Sequence, residues 1–109
     1  MHRAAAAEDV FRAIADPTRR AILDRLRVGK APANDLAAGF EISRPAVSKH
    51  LRVLRDASLV RERREGRQRV YELTPAPLRD VVSWVESYRA FWAANLAGLK
   101  RFVEEEDSR

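Results

Sequence analysis

A helix that begins near Ser43 carries the residues best suited to contact a polyanion. Ser43 can cap this helix, which extends to about Ala57, and the proline at position 45 is tolerated in its first turn. The apolar residues recur at i, i+4 and i+7 and therefore share one face, whereas the polar residues occupy the opposite side. The exposed set predicted by this spacing, with its cap, is Ser43, Arg44, Pro45, Ser48, Lys49 and Arg52.

These residue types match the hydrogen-bonding groups of nucleic acid. Arg44 and Lys49 can donate to guanine O6 and N7, and the Ser48 hydroxyl can contact a base or a phosphate. Arg52 lies further along the helix, where a phosphate contact is expected. His50 lies between the two faces. A hydrogen bond from its ring to backbone or phosphate is the preferred interpretation, with a pH switch or a metal ligand as alternatives.

A second group of cations follows in a predicted hairpin. Leu59–Arg64 and Arg67–Leu73 can form two strands joined through Glu65 and Gly66, because glycine adopts the positive φ of a tight turn. The arginines near the tip of this hairpin are Arg63, Arg64, Arg67 and Arg69. We expect them to hold the flanking phosphate backbone or to enter the minor groove, adding affinity with little base specificity.

The basicity of the chain is concentrated in these two elements. The 109 residues include 21 Lys+Arg and 16 Asp+Glu, which gives a formal charge of +5. The segment from Ser43 to Tyr71 has nine basic and three acidic residues, a net charge of +6, so the other 80 residues carry −1. A local positive segment is typical of a nucleic-acid site, and the alternative is a solvated charged surface.

Composition excludes several other classes of function. The chain has the length of a single domain with one core. No apolar run approaches the roughly 18 residues of a membrane span, so a cytoplasmic location is expected, at the nucleoid when DNA is bound. Cysteine is absent and histidine occurs twice, which leaves no thiolate site and no suitable catalytic base. We therefore predict no enzymatic activity, no catalytic residue, no metal site, no cofactor and no membrane partner.

Short helices must position the two cationic elements. The sequence predicts helices over about Glu8–Ala15, from Pro17, after an N-cap at Asp16, to a stop at Gly29, and over about Pro32–Ala38. The last of these and the helix after Ser43 are separated by a four-residue turn containing glycine, which fits a helix-turn-helix. The predicted fold is mainly α with a small β-hairpin (α+β). It is one winged helix-turn-helix domain over residues 1–109, in the order α-α-α-α-β-β-α, with a DNA-binding core at 8–75.

A long terminal helix is predicted from Pro75 to about Val103, capped by Thr74. Its apolar surface exceeds what the preceding short elements can cover, which indicates a partner surface. With the first helix, it predicts a dimer interface of Val10, Phe11, Ile14, Val81, Val85, Tyr88, Trp92, Leu96 and Leu99. For the aromatic residues Trp84, Tyr88, Phe91 and Trp92, core and dimer packing is preferred, and a small-molecule pocket is the alternative.

Two motifs carry a family resemblance. The run SRPAVSKHLRVL from Ser43 to Leu54 resembles the recognition helix of the ArsR/SmtB family of winged-helix transcriptional repressors. The run DPTRRAIL from Asp16 to Leu23 resembles the second-helix signature of the same family. The resemblance implies a homodimer that joins through its first and last helices and binds an imperfect palindrome in operator DNA, often near its own promoter.

The chain differs from the relatives that sense metals. Their thiolate pair would fall at Pro32 and Asn34, and the last helix has no histidine for the other common site. The chain therefore resembles the cysteine-free branch, whose members have no known metal inducer, and its residues identify no small-molecule inducer. The competing interpretation is a protein-interaction or RNA-binding module that uses the basic segment without preference among duplex sequences.

Overall fold

The computed structural model describes the backbone of residues 2–107 and the side chains of residues 8–95, 98 and 100–107. The helices are α1 (His2–Ile14), α2 (Pro17–Val28), α3 (Ala33–Ala38), α4 (Arg44–Asp56), α5 (Arg79–Glu86) and α6 (Arg89–Asp107). The strands are β1 (Ala31–Pro32), β2 (Val60–Glu65) and β3 (Gln68–Leu73), and a 3₁₀ turn covers Ala76–Leu78. The predicted fold class, a mainly helical winged helix-turn-helix, is confirmed.

The predicted hairpin is formed by β2 and β3. The two strands pair antiparallel from Val60 opposite Leu73 to Glu65 opposite Gln68, which leaves a two-residue turn. Gly66 opens that turn with φ 65, and a Cβ at this position would meet no atom within 4 Å. The backbone conformation, rather than lack of space, therefore requires glycine here.

A third strand was not expected from the sequence. Ala31 pairs with Tyr71 and Pro32 with Val70, so β1 adds to the free edge of β3 and the strand order is β1-β3-β2. Two residues are too few to show the alternation that identifies a strand in a sequence. Proline is compatible with this position because β1 is an edge strand.

The core lies under α4. Val47, Leu51 and Leu54 are at most 2% exposed, and they join Ile22 of α2 and Leu36 of α3 in one buried cluster. The two predicted caps that set the directions of these helices are confirmed. Asp16 Oδ2 accepts a hydrogen bond from Arg19 N at 2.9 Å, and Ser43 Oγ accepts one from Ala46 N at 3.2 Å.

The terminal helix is not continuous, contrary to the prediction for residues 75–103. Thr74 caps no helix, because its hydroxyl donates to Ser58 O at 2.6 Å and so ties the end of β3 to the end of α4. At residues 87–88 the helix tightens, with Tyr88 N donating to Val85 O at 3.0 Å and Ser87 Oγ donating to Trp84 O at 2.6 Å. A serine hydroxyl that bonds a carbonyl of the preceding turn bends a helix, and here it separates α5 from α6.

The end of α4 directs the chain into β2. Leu59 N donates to Leu54 O at 2.9 Å and Ser58 N to Arg55 O at 2.9 Å, the two bonds of a Schellman motif. Ser58 occupies the left-handed position with φ 60, and it is the one non-glycine residue with positive φ in the described part of the chain. Leu54 and Leu59, which flank this turn, are both fully buried. The serine at this position is therefore strained, whereas the turn it serves is well packed.

Ser58→Gly is expected to raise the free energy of unfolding by about 0.5–1 kcal/mol, because glycine adopts the left-handed conformation without a Cβ clash. Urea unfolding of the purified protein measures this change. Ser87→Gly is the matched control, since Ser87 has a right-handed φ of −63 and a bonded hydroxyl, and this substitution should destabilise. Equal destabilisation by both substitutions would contradict the assignment of strain to Ser58.

Candidate nucleic-acid interface

The outward face of α4 is polar along its length. Arg44, Ser48, Lys49 and Arg52 are all exposed, and none of the three cations has a carboxylate partner among the described side chains. Ser43 and Pro45 are exposed at the start of the helix. Helix α3 packs against α4 across the turn at residues 39–43, as the helix-turn-helix prediction requires.

A groove connects α4 to the hairpin. One part of it is lined by residues of α3 and α4, including Asn34, Arg44 and Ser48, together with Arg69 of β3. The next part, about 250 Å³ in volume, is lined by Asn34, Arg64, Arg67 and Arg69. Because Asn34 and Arg69 border both parts, Arg44 and Ser48 of α4 and the arginines at the tip of the hairpin line one continuous groove.

Asn34 is a site residue that the sequence did not identify. Its amide lies in the groove between the helix-turn-helix and the hairpin, where it can both donate and accept hydrogen bonds. The sequence singles out Asn34 only as one of the two positions at which metal-sensing relatives carry a thiolate. Its place in the groove depends on the packing of α3 beside β3, which local pattern does not show.

The two faces of the hairpin differ in charge. Strand register places Arg64 directly opposite Arg69, and both point toward the groove; we call this the inner face. Arg69 Nε lies 3.5 Å from Glu62 Oε1, and Arg55 of α4 binds the other oxygen of Glu62 at 2.9 Å. Arg64, and Arg67 in the turn, have no carboxylate partner among the described residues.

The opposite side, which we call the outer face, carries the charged residues Arg61, Arg63, Glu65 and Glu72 together with Gln68 and Val70. Arg61 forms an ion pair with Glu72, and Arg63 lies between Glu72 at 3.9 Å and Glu65 at 3.3 Å. Lys30, just before β1, binds Glu65 at 2.7 Å. Arg63, predicted to bind phosphate with the other hairpin arginines, is thus held between two carboxylates, which the sequence pattern did not indicate.

Both outer-face carboxylates are stabilised in their charged forms. The hydrogen bond from Lys30 lowers the pKa of Glu65 below its usual value, and the hydrogen bond from Arg61 lowers the pKa of Glu72. Each carboxylate also gains from the positive charge of Arg63. At neutral pH, Glu65 and Glu72 are therefore ionised and offset the arginine charge beside them.

His50 faces the junction of α1 and α2. Its Nδ1 lies 3.4 Å from Arg19 Nη1 and 3.9 Å from Asp16 Oδ2. Arg19 also donates to the carbonyls of Arg12 and Ala13, at 2.9 and 2.7 Å, and so joins the end of α1 to α4. The backbone N–H of Arg19 lowers the pKa of Asp16. From the sequence, the ring of His50 is predicted to hydrogen-bond to backbone or phosphate. In the structure its neighbours are the side chains of Arg19 and Asp16, which are distant in the sequence and which no local pattern pairs with His50.

An uncovered aromatic row runs from α1 to α6. Phe11 meets Trp84 edge to face at 5.8 Å between ring centroids, Trp84 meets Tyr88 at 5.5 Å, and Tyr88 stacks on Trp92 at 6.3 Å. Trp84, Tyr88 and Trp92 are 43–55% exposed. The molecule is also extended, with a radius of gyration of 18.1 Å against about 13 Å for a compact domain of this length.

The predicted dimer residues have different environments. Val10 is 1% exposed and belongs to the core, so its assignment to an interface is corrected: its side chain has no surface to offer. Ile14 and Val81 pack against the core and are partly covered, whereas Val85 lies at the exposed edge. The side chains of Leu96 and Leu99 lie outside the described residues.

Neither a metal cluster nor a membrane span is found in the described part of the chain. No three histidine, aspartate or glutamate side chains there gather closely enough to hold an ion. No helix there combines the length and apolar character needed to cross a bilayer.

Comparison with known proteins places the chain among transcriptional regulators. Residues 14–63 match a family model described as a helix-turn-helix domain. The chain is 41% identical over 80 residues to the transcriptional repressor SdpR of Bacillus subtilis, covering 73% of this chain and 89% of SdpR. It is 41% identical to the HTH-type transcriptional regulator Rv2034 of Mycobacterium tuberculosis, covering 88% and 87%. A crystal structure of the ArsR family transcriptional regulator RHA00566 superposes with a TM-score of 0.73 at 34% identity, covering 81% and 91%.

Proposed function

This chain belongs to the ArsR/SmtB family of winged helix-turn-helix transcriptional repressors, and from that membership we propose that it acts as a homodimer on an imperfect palindromic operator. It is a DNA-binding regulator and not an enzyme. In this proposal α4 enters the major groove and the hairpin is the wing that contacts the flanking backbone. The protein acts in the cytoplasm, at the nucleoid.

The continuous cationic groove is the observation that carries the proposal. It joins Arg44 and Ser48 of α4 to Arg64, Arg67 and Arg69 of the wing without an intervening carboxylate among its described lining residues. A helix that reads base edges and a wing that holds phosphates must be presented on one side of the molecule. The groove provides that arrangement.

Different residues of α4 serve different contacts. Arg44 and Lys49 donate to base edges, where bidentate contacts to guanine give discrimination, and Ser48 reaches a base or a phosphate. Arg52, one turn after Ser48, holds a phosphate. Ser43 and Pro45 support the close approach of the helix N-terminus to DNA. His50 acts indirectly, because its ring lies beside Arg19 and Asp16 and so helps to position α4 against α2.

The exposed aromatic row supports the homodimer. Trp84, Tyr88 and Trp92 are large side chains about half exposed, on α5, on the segment between α5 and α6, and on α6. Contiguous exposed apolar rows are rare on the surface of a monomer and mark interaction sites. Aromatic side chains bury a large apolar area when a partner covers them, so such a row favours association. A second copy covers the row in our proposal, with Phe11 and Val85 at its margins.

Selection of bound sequences from random duplex DNA tests the proposed function. We expect enrichment of an imperfect palindrome with half-sites about one helical turn apart, or a multiple of that distance. The selection is repeated with zinc and with a chelator, and the same enrichment is expected in both. Binding without any sequence preference would favour the competing RNA or protein-interaction module, and loss of binding with zinc would show metal sensing.

Lys49→Ala should weaken binding to the selected site by about 1–3 kcal/mol and leave binding to random duplex nearly unchanged, because its contact is to a base edge. Arg52→Ala, from the same helix face, is the matched control and should weaken both by similar factors. Fluorescence anisotropy with the two duplexes measures the four affinities. Equal losses on both duplexes for Lys49→Ala would assign Lys49 to phosphate.

Trp92→Asp should convert the dimer to a monomer, because a carboxylate in the apolar row would be buried without a partner. Tight binding to the palindrome should be lost with it. Sedimentation velocity measures the assembly state. Val28→Asp is the matched control, since Val28 is 85% exposed and lies outside the row. An unchanged sedimentation profile for Trp92→Asp would exclude the proposed interface.

A further inference from the structure

The outer face of the wing holds an alternating row of five charges. In spatial order they are Arg61, Glu72, Arg63, Glu65 and Lys30, with each neighbouring pair within 4.0 Å. Every cation in this row has a carboxylate beside it. A network of linked pairs holds its side chains in place better than isolated surface pairs do.

Strand register explains why the row forms. Arg61 and Glu72 are directly opposite on β2 and β3, so they share a side of the hairpin. Arg63 and Glu65 follow at two-residue intervals along β2, which returns them to that same side. Lys30 then ties Glu65 to the segment that precedes β1. The row is therefore fixed at one end to the body of the protein.

The inner face lacks this compensation. Arg64 and Arg67 have no carboxylate partner among the described side chains, and Arg69 has only Glu62, which Arg55 also binds. The unpaired arginines border the groove that leads to α4. The wing thus carries similar numbers of arginines on its two faces but leaves only one face strongly cationic.

We propose that Glu65 and Glu72 are specificity-determining residues, which restrict DNA to the inner face of the wing by withholding Arg61 and Arg63 from phosphate. The inference rests on the proposed DNA-binding function. Phosphate contacts carry no sequence information, so a free cation adds affinity wherever the DNA backbone can reach it. Base contacts of α4 hold operator DNA at the inner face, out of reach of Arg61 and Arg63, whereas random DNA is not held there. If Arg61 and Arg63 were free on each wing, they would strengthen binding to random DNA. A repressor bound to random sequence does not act on its operator.

The geometry gives the carboxylates two ways to act. They occupy the guanidinium groups, and they remain about a third to two-fifths exposed, at 34% for Glu72 and 40% for Glu65, so their own charge repels phosphate. A repressor must find its site among a large excess of competing sequence. Lower background affinity therefore improves discrimination without any new contact to the operator.

Glu72→Gln in the full chain tests the proposal, because it removes the carboxylate shared by Arg61 and Arg63 and keeps the shape of the side chain. The probes are a random-sequence duplex and the selected palindrome, each titrated over a salt series. On random duplex we expect the salt dependence to steepen by about 0.9 for each new phosphate contact, and affinity near 0.15 M salt to rise on the order of fivefold per contact. Affinity for the palindrome should rise less, so the ratio of the two affinities falls.

Glu86→Gln is the matched control. Glu86 of α5 pairs with Arg89 at 3.0 Å, so this substitution makes the same change in charge and also frees an arginine, but outside the wing. It should leave the salt dependence and the affinity ratio unchanged. Arg67→Ala should make the salt dependence shallower on both duplexes alike, which shows that the assay detects wing contacts.

The outcomes separate this inference from the proposed function. Equal behaviour of Glu72→Gln and Glu86→Gln on random duplex would overturn the role of the carboxylates, even if the palindrome is bound tightly. Absence of sequence preference in the unmodified protein would overturn the proposed function. Tighter binding of random duplex by Glu72→Gln than by Glu86→Gln would even then support the withholding of arginines by the carboxylates. No binding to any duplex would overturn both. Glu65→Gln, expected to act in the same direction through Arg63, provides a second variant if Glu72→Gln unfolds at lower urea.

Discussion

Burial of one face of α4 constrains the rest of the molecule. Helices α1, α2 and α3 and strand β2 all pack against α4, and Leu51 and Leu54 lie at the centre of the contact. Because α4 turns by a fixed angle at each residue, burying these leucines fixes which residues point outward. Arg44, Ser48 and Lys49 are presented as a consequence. The packing that stabilises the fold and the surface proposed to bind DNA are therefore two faces of one helix.

The charge of the basic segment is less uniform than its composition suggests. Of the nine cations between Ser43 and Tyr71, four have carboxylate partners, which are Arg55, Arg61, Arg63 and Arg69. The five without such partners among the described side chains are Arg44, Lys49, Arg52, Arg64 and Arg67. These five belong to the exposed face of α4 and to the inner face and turn of the wing. Ion pairing thus distinguishes cations that a count of charges treats alike.

Local patterns in the sequence predicted most of the fold and only part of the site. Capping by Asp16 and Ser43, the stripe of α4 and the turn at Gly66 each depend on residues a few positions apart, so they could be predicted. The burial of Val10, the addition of β1 to β3 and the place of Asn34 in the groove depend on residues distant in the chain. The charge row on the outer face required the strand register, which pattern alone did not supply.

In the proposed dimer, the connection between the core and α6 determines how the two copies are placed on DNA. Beyond β3 the chain passes through the 3₁₀ turn at Ala76–Leu78 into α5, and the Phe11–Trp84 contact fixes α5 against α1. In the proposed dimer the row that starts at Trp84 forms the interface, and α1 is joined to α4 through Arg19. The distance between the two α4 helices, and hence the spacing of operator half-sites, then depends on this series of contacts. A ligand or substitution that shifts α5 against α1 would change operator affinity without touching a DNA-binding residue.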